Sequence, residues 1–413
     1  MPIADMLAHS PRIPLIIDYI DKGHVVTAED EEGIVLALQQ RDRVRRIRLE
    51  LPIPKLRRPI MAMDDEFPML EYLFVGPPTK HNMGLVLPEA FRAPHLRHFI
   101  LTNFAFSIGS PLLTTATLLV TLVLQDIHPS AYFRPKILLR HLSLVPQLET
   151  LIISFNSPVH NRDMERDLLH VPIVTRATLP NLRSFGFKGA SAYLEAFLPR
   201  ITAPLLERLQ ISFLNQLIFS TPRLLQFVNE AEVLRFGSAI LTFRAEAVHV
   251  NLYRSEEVRV CTFSIGVGCR HLDWQVAAAA QIFNGSGTLY SAVEHLTLDY
   301  DGSLKSYEPH DEDDRTQWRE LLRPFNNVKT LSVPSGLVGE LSHCLISDGE
   351  APLELLPELK ELVCPAGRGG KDADAFTSFI EARRVVGRPV VLAHLDPPID
   401  RSHQVRRPIP RDS

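Results

Sequence analysis

Apolar residues along this chain recur in a fixed triplet: an aliphatic residue, two variable positions, a second apolar residue, one variable position and a third apolar residue. The triplets are Val44-Ile47-Leu49, Leu70-Leu73-Val75, Leu96-Phe99-Leu101, Leu119-Leu122-Leu124, Leu148-Leu151-Ile153, Leu182-Phe185-Phe187 and Leu206-Leu209-Ile211. They return as Val293-Leu296-Leu298, Val328-Leu331-Val333 and Leu359-Leu362-Cys364. The last two members of each alternate with other residues, which predicts one short strand per triplet with its apolar side turned inward. Between triplets, Pro54, Pro77, Pro78, Pro94, Pro146, Pro180 and Pro204 punctuate return segments.

This spacing is the signature of a leucine-rich repeat, so the expected fold is α/β: an irregular, curved solenoid in which each unit contributes one strand. Within Val44 to Leu206 and within Val293 to Leu359 the triplet starts lie 23 to 35 residues apart, and typical repeats run roughly 20 to 29 residues, so several units carry insertions. The asparagine that usually follows the triplet is present as Asn156, but Pro78, Ala190 and Asp301 stand there in other units.

Five stretches follow. Residues 1–43 lead into the repeats, with a strand in PLIIDYI and a helix opened by Thr27, Asp30 and Glu31 whose inward stripe is Ile34, Val35 and Leu38. Residues 44–226 form a first repeat block. In 227–272 the alternation in VLRFGSAILTF and AEAVHVNLY predicts a β-rich insertion. Residues 273–395 form a second block. It has a helix carrying Trp318, Leu321, Leu322 and Phe325, then another with Phe376, Phe379 and Ile380 inward, Asp372 and Asp374 at its positive end, and Arg383 and Arg384 at its negative end. Gly387 caps that helix and PVVLAHL is a final strand. Residues 396–413 are polar, proline-rich and expected to be disordered.

Composition narrows the function. At 45% hydrophobic and 22% charged residues the chain can bury a substantial core. A net charge of -4 argues against a nucleic-acid partner. Arg41, Arg43, Arg45, Arg46 and Arg48 form a local exception: either a solvated strand edge balanced by Asp42 and Glu50, or a docking point for an acidic partner. The longest apolar run, Pro111 to Leu124, falls short of the roughly 20 residues that cross a bilayer, so no membrane partner is expected. Cys261, Cys269, Cys344 and Cys364 are too few to staple the chain, which with no secretory leader places it in the cytoplasm or nucleus.

Catalytic and cofactor motifs are missing. No G-x-S-x-G, H-E-x-x-H or G-x-x-x-x-G-K-[ST] occurs. GRGGKD at 367–372 has the wrong glycine spacing for a phosphate loop. Cys261, Cys269 and His271 lack a fourth zinc ligand, and Asp311 to Asp314 lack a calcium-loop pattern. His95 and His98 are three apart in a strand and point to opposite faces. The Asn284-Gly285-Ser286 sequon matters only for a secreted chain. The expectation is a non-enzyme with no metal or cofactor.

Several segments also carry a resemblance. EDEEGIVLALQQRDRVRRIRLELP, DEFPMLEYLFVGPP, LPEAFRAPHLRHF, CRHLDWQV, WRELLRPFNNVKTLSV, LPELKEL and FIEARRVVGRPVVL, spread through residues 1 to about 395, resemble the fungal F-box/leucine-rich-repeat proteins. Members of that family are substrate receptors of cullin-type ubiquitin ligases, whose F-box binds the ligase adaptor while the repeats hold a target. The F-box, a three-helix module led by Leu-Pro, is not found in this sequence. The resemblance therefore implies a target-recognition part, with a ligase adaptor as partner by kinship alone and the target unnamed.

In such a repeat the residues between and after the triplet's last members project from the concave face. This nominates Arg46, Arg48 and Glu50, then Tyr72 and Phe74, His98, Ile100 and Thr102, and Arg208, Gln210 and Ser212. Thr121, Val123, Gln125, Thr150, Ile152, Ser154 and Lys188 complete this block, and His295, Thr297, Asp299, Thr330 and Ser332 follow in the later one. Tyr72 and Phe74 are either aromatic anchors for a protein partner or core residues covered by return segments. The expected function is a protein-protein interaction scaffold. The alternatives are a repeat protein with a small ligand in its groove, which needs a deep apolar pocket, and a cryptic enzyme, which needs a cleft of titratable groups.

Overall fold

A computed structural model describes residues 7, 9, 13–20, 26–78, 85–157, 175–214, 216, 219–230, 236–254, 261–284, 290–301, 312–345, 355–365 and 374–395. The α/β class is as expected, but the leucine-rich-repeat solenoid is not the architecture found. The strands join one long, mostly parallel fifteen-stranded sheet. The middle segment read as a β-rich insertion contributes strands of that same sheet. Two features of the chain separate it from a regular repeat. The asparagine that closes each unit is replaced in most of them, and return segments range from the five-residue helix Pro111–Thr115 to the thirteen-residue helix Leu272–Asn284.

The chain divides into two compact units. Unit one comprises Met1–Leu234 and Thr262–Gly268, and unit two Arg235–Cys261 and Cys269–Ser413. In unit one, β1 (Leu15–Ile20), β2 (Val44–Glu50), β3 (Tyr72–Gly76), β4 (His98–Thr102), β5 (Thr121–Ile127) and β6 (Thr150–Phe155) lie side by side in chain order. A two-residue strand, β7 (Ala177–Thr178), pairs with another, β9 (Ile201–Thr202), outside that row. The row continues through β8 (Ser184–Gly189) and β10 (Arg208–Phe213), and the later segment Phe263–Gly268 pairs parallel with β10. All these pairings are parallel.

Most triplets build their strand in the same way. The first leucine sits one turn before the strand and closes a tight turn, its N–H donating to the carbonyl three residues back: Leu70 to Phe67, Leu96 to Ala93, Leu148 to Val145, Leu182 to Leu179 and Leu206 to Ala203. The next residue then donates to the strand before it, Glu71 to Arg45, Arg97 to Glu71 and Arg183 to Glu149. The other two triplet members point into the core, and Leu73, Phe99, Leu151, Phe185 and Leu209 are all buried. Truncating Leu151 to alanine is expected to cost about 2–5 kcal/mol, because a filled parallel sheet closes over a cavity only in part. Equilibrium urea unfolding measures it, and a cost near zero would contradict the packing.

Helices on the return path use ordinary end chemistry. In α1 (Ala28–Leu38) Thr27 and Asp30 form the expected capping box, with Asp30 N–H donating to Thr27 Oγ1 at 3.1 Å and Thr27 N–H to Asp30 at 2.9 Å. Ile34 and Leu38 are buried, and Val35 is half-buried. Thr27 with its own Oγ1 also holds the Asp30 carboxyl below the usual carboxylate range. Among the described residues no helix is long and apolar enough to cross a membrane.

In unit two, β11 (Ser238–Arg244) and β12 (Ala247–Tyr253) form an antiparallel hairpin, and β13 is the Phe263–Gly268 strand already placed in unit one. Beyond β11 follow β14 (His295–Tyr300), β15 (Thr330–Ser332), β16 (Glu361–Pro365) and β17 (Val391–Leu395), parallel in that order. Gln275, fully buried near the start of the Leu272–Asn284 helix, ties the hairpin tip by donating to the Arg244 and Cys269 carbonyls at 2.6 and 2.8 Å. The helix of Trp318 runs over Glu312–Leu322, and Trp318, Leu321, Leu322 and Phe325 are buried.

Arg383 lies in the last turn of its helix, as expected, and does more there than face the negative helix end. In the helix Thr377–Val385 it is fully buried, and its guanidinium donates to the Pro357 and Leu359 carbonyls at 3.1 and 3.0 Å. It joins the last helix to the turn before β16, a role closer to a strut than to a helix-dipole counter-charge. Gly387 does cap the helix, at φ +78. His95 is misplaced by the sequence: it lies before β4, its Nδ1 donating to the Pro68 carbonyl at 2.6 Å. The GRGGKD segment, Asp311, Asp372, the sequon's Gly285 and Ser286, and the 396–413 tail lie outside the described residues.

His249 on β12 stands opposite Thr242. Burial, and then the neighbouring Arg244, push its pKa below the ordinary 6.5. The unfolded chain therefore binds this proton more readily, so the stability tied to neutral His249 is whole above that value and is lost as pH falls through it. Between about pH 7.5 and about pH 5.5 the thermal midpoint should drop less in a His249→Asn variant than in the wild type. Equal drops would show that His249 is not held neutral.

Candidate protein-binding face

Parallel register places like positions of successive strands in straight rows across unit one. One row runs Arg46, Tyr72, His98, Thr121, Thr150, Ser184 and Arg208. A second runs Arg48, Phe74, Ile100, Val123, Ile152, Gly186 and Gln210. These rows hold Arg46, Arg48, Tyr72, Phe74, His98, Ile100, Arg208 and Gln210, all nominated from the sequence for the binding face. Arg208 and Gln210 are exposed, and Arg46, Arg48, Tyr72, Phe74, His98 and Ile100 are half-buried. No member of the first row is buried, so it stays open along its length.

Side chains within the first row touch in sequence. The Arg46 Cζ lies 4.3 Å from the centre of the Tyr72 ring. Tyr72 and His98 have ring centres 5.9 Å apart at 43°. His98 Nδ1 is 3.1 Å from Thr121 Oγ1. In the second row Arg48 stands over Phe74 at 5.6 Å. A guanidinium over an aromatic face gains about 0.5–1 kcal/mol at exposed sites. The rings of Tyr72 and Phe74 are thus partly covered by the two arginines of β2, and Ile100, Val123 and Ile152 form an apolar stripe beside them.

Stacking also fixes the arginines. The Nε of both Arg46 and Arg48 is buried with no hydrogen-bond partner. Arg48 has Glu50 at 4.0 Å. Lys188, toward the far end of the face, is answered by Asp126 at 3.5 Å, an ion pair between residues of β5 and β8. At Gly186 an added Cβ would lie 3.2 Å from Ile152 Cγ1, so the buried glycine leaves room that the Ile152 side chain fills. Sequence spacing placed these residues on one side of their strands. It did not reveal the stacked arginines or the packing of Ile152 on Gly186, because both depend on which strand is the neighbour.

The later candidates sit on unit two. His295, Thr297, Thr330 and Ser332 are half-buried and Asp299 is exposed, in rows with Ser238, Ile240 and Thr242. Two open concavities lie elsewhere on unit one. The larger, about 920 Å³, is walled mainly by polar and charged side chains, among them Gln40, Arg41, Arg43 and Asp65. The smaller, about 650 Å³, lies between Val86, Ile108, Phe133 and Ile137, with Arg134 at its wall.

Reactive groups are sparse. Among the described residues no three of His, Cys, Asp and Glu converge on a point that could hold a metal. None of the four cysteines is in a disulfide. Burial pushes the Cys269 thiol up to about 11 and the Cys344 thiol up to about 12, far from the thiolate a nucleophile needs. Cys364 is fully buried, while Cys261 is half-buried. Maleimide should therefore label Cys261 first in the folded chain and the other three only on unfolding. Equal rates at all four would contradict this packing.

No known protein family matches the chain, and no characterised protein resembles it closely enough to count as a relative.

Proposed function

We propose that this chain is a non-enzymatic protein-interaction scaffold that holds a partner protein on the open sheet face of unit one. The observation that carries the reading is the in-register contact row Arg46–Tyr72–His98–Thr121, half-exposed and flanked by the apolar stripe of Phe74, Ile100 and Ile152. Aromatic and arginine side chains that are held rigid and still reachable are the usual centres of interface energy. The buried, protonated thiols support a role without bond chemistry. On the sequence resemblance alone, the partner is a target of a cullin-type ubiquitin ligase, and the compartment is the cytoplasm or nucleus. No residue is assigned as an adaptor contact.

The test is site-specific photo-crosslinking in cells. With p-benzoylphenylalanine in place of Ile100 the chain should capture a defined partner, and Tyr72→Ala should weaken that partner's affinity by about 2 kcal/mol. The same photo-reactive group in place of Leu144, exposed beyond the end of the Pro135–Leu142 helix, should capture none of it. Equal capture from both positions, or none from Ile100, would reject the face as the docking surface.

A further inference from the structure

The charges of unit one's open face are not all answered from within. Arg48 has Glu50, Lys188 has Asp126, and next to the face Arg45 has Glu71 at 3.0 Å. Arg183 pairs with Glu207. Asp18 stands exposed beside Arg48 in register. Arg46 and Arg208, at the two ends of the first row, have no carboxylate within ion-pair distance among the described residues. Arg46 is moreover stacked on the Tyr72 ring, and its buried Nε has no hydrogen-bond partner. A planar fork, charged, immobilised and unanswered, is arranged to receive a carboxylate in two-point contact.

The distance between the two arginines defines what can bridge them. Six strand steps separate β2 from β10 in the sheet, which at roughly 4.8 Å per step is about 29 Å along the row. An extended peptide advances roughly 3.3 Å per residue, so about nine residues cover that span. Between the ends the first row offers Tyr72, His98, Thr121, Thr150 and Ser184, and the second offers Phe74, Ile100 and Ile152, while Val123 and Gly186 are buried. The middle of the track is uncharged and half apolar.

We infer that the partner presents an extended segment lying across the strands, with one acidic residue at each end about nine residues apart and apolar side chains between them. This rests on the reading of the face as a protein-docking surface and adds the chemistry of what docks. Charge complementarity selects the ends, Arg46 and Arg208, and the aliphatic stripe selects the middle. A nucleic-acid strand fits less well, because its phosphates recur at every nucleotide and call for a continuous basic track that this row lacks.

The experiment is a selection of random peptides of about twelve residues, displayed on phage, against the full chain. Selected peptides are then measured by fluorescence anisotropy with the wild type, Arg46→Glu, Arg46→Gln, Arg208→Glu and Tyr72→Ala, each first shown to fold by circular dichroism. The expected consensus has two acids about eight to ten residues apart around an apolar centre. Each charge reversal should weaken binding about tenfold or more, with Arg46→Gln intermediate and added salt weakening the wild-type complex. An acid-free consensus, no enrichment, or displacement of the peptide by an oligouridine strand overturns the inference. Loss in Tyr72→Ala with none in the charge variants also overturns it, while keeping the face as a docking surface. Peptides indifferent to all four substitutions overturn both.

Discussion

The parallel backbone ladder is the constraint on which the rest of unit one depends. A strand in a parallel sheet must offer every other N–H and C=O to each neighbour, so once one pair is in register the height of every side chain follows. The triplets lock that register. Their first leucine turns the chain into the strand, the residue after it donates to the preceding strand, and the other two members fill the core. A slip by one residue would turn Leu73, Phe99 and Leu151 to water and put Tyr72, His98 and Thr150 inside. Each lost leucine would cost about 2–5 kcal/mol.

The open face is a by-product of this lock that has been given specific chemistry. Because positions align, an arginine on β2 meets a tyrosine on β3 and a histidine on β4 at one height, and contacts pass from strand to strand. Stacking a guanidinium on a ring leaves Nε without a hydrogen-bond partner, a cost offset by the attraction of the cation for the ring. What remains is a charged group with little rotamer freedom left to lose on binding. Elsewhere along the strand starts, opposite charges are paired off, as in Arg45–Glu71 and Lys329–Glu294, where the lysine also holds the Glu294 carboxyl below its usual range.

Strand positions in unit one were legible from Val44 to Ile211 because burial of alternate residues leaves its mark directly in the sequence. So were the Thr27 capping box, the Trp318 helix and the Gly387 cap, all of them local interactions. The architecture was misread, since a triplet specifies a strand and its inward face but not how units close on one another. Arg383 was placed at the right helix end, but only the fold reveals that the Pro357 and Leu359 carbonyls accept from it in the core. The pairing of Arg46 with Tyr72 was invisible for the same cause, being a property of register between strands 26 residues apart in the chain.

The most direct measurement is a double-mutant cycle between Arg46 and Tyr72 in the full chain, using Arg46→Met, Tyr72→Leu and the double variant, read by equilibrium urea unfolding. Side chains stacked as described should be coupled by about 0.5–1 kcal/mol, with the two single losses exceeding the loss in the double variant. Strictly additive losses would mean that these residues do not meet, and that the strand register which builds the face is not the one described.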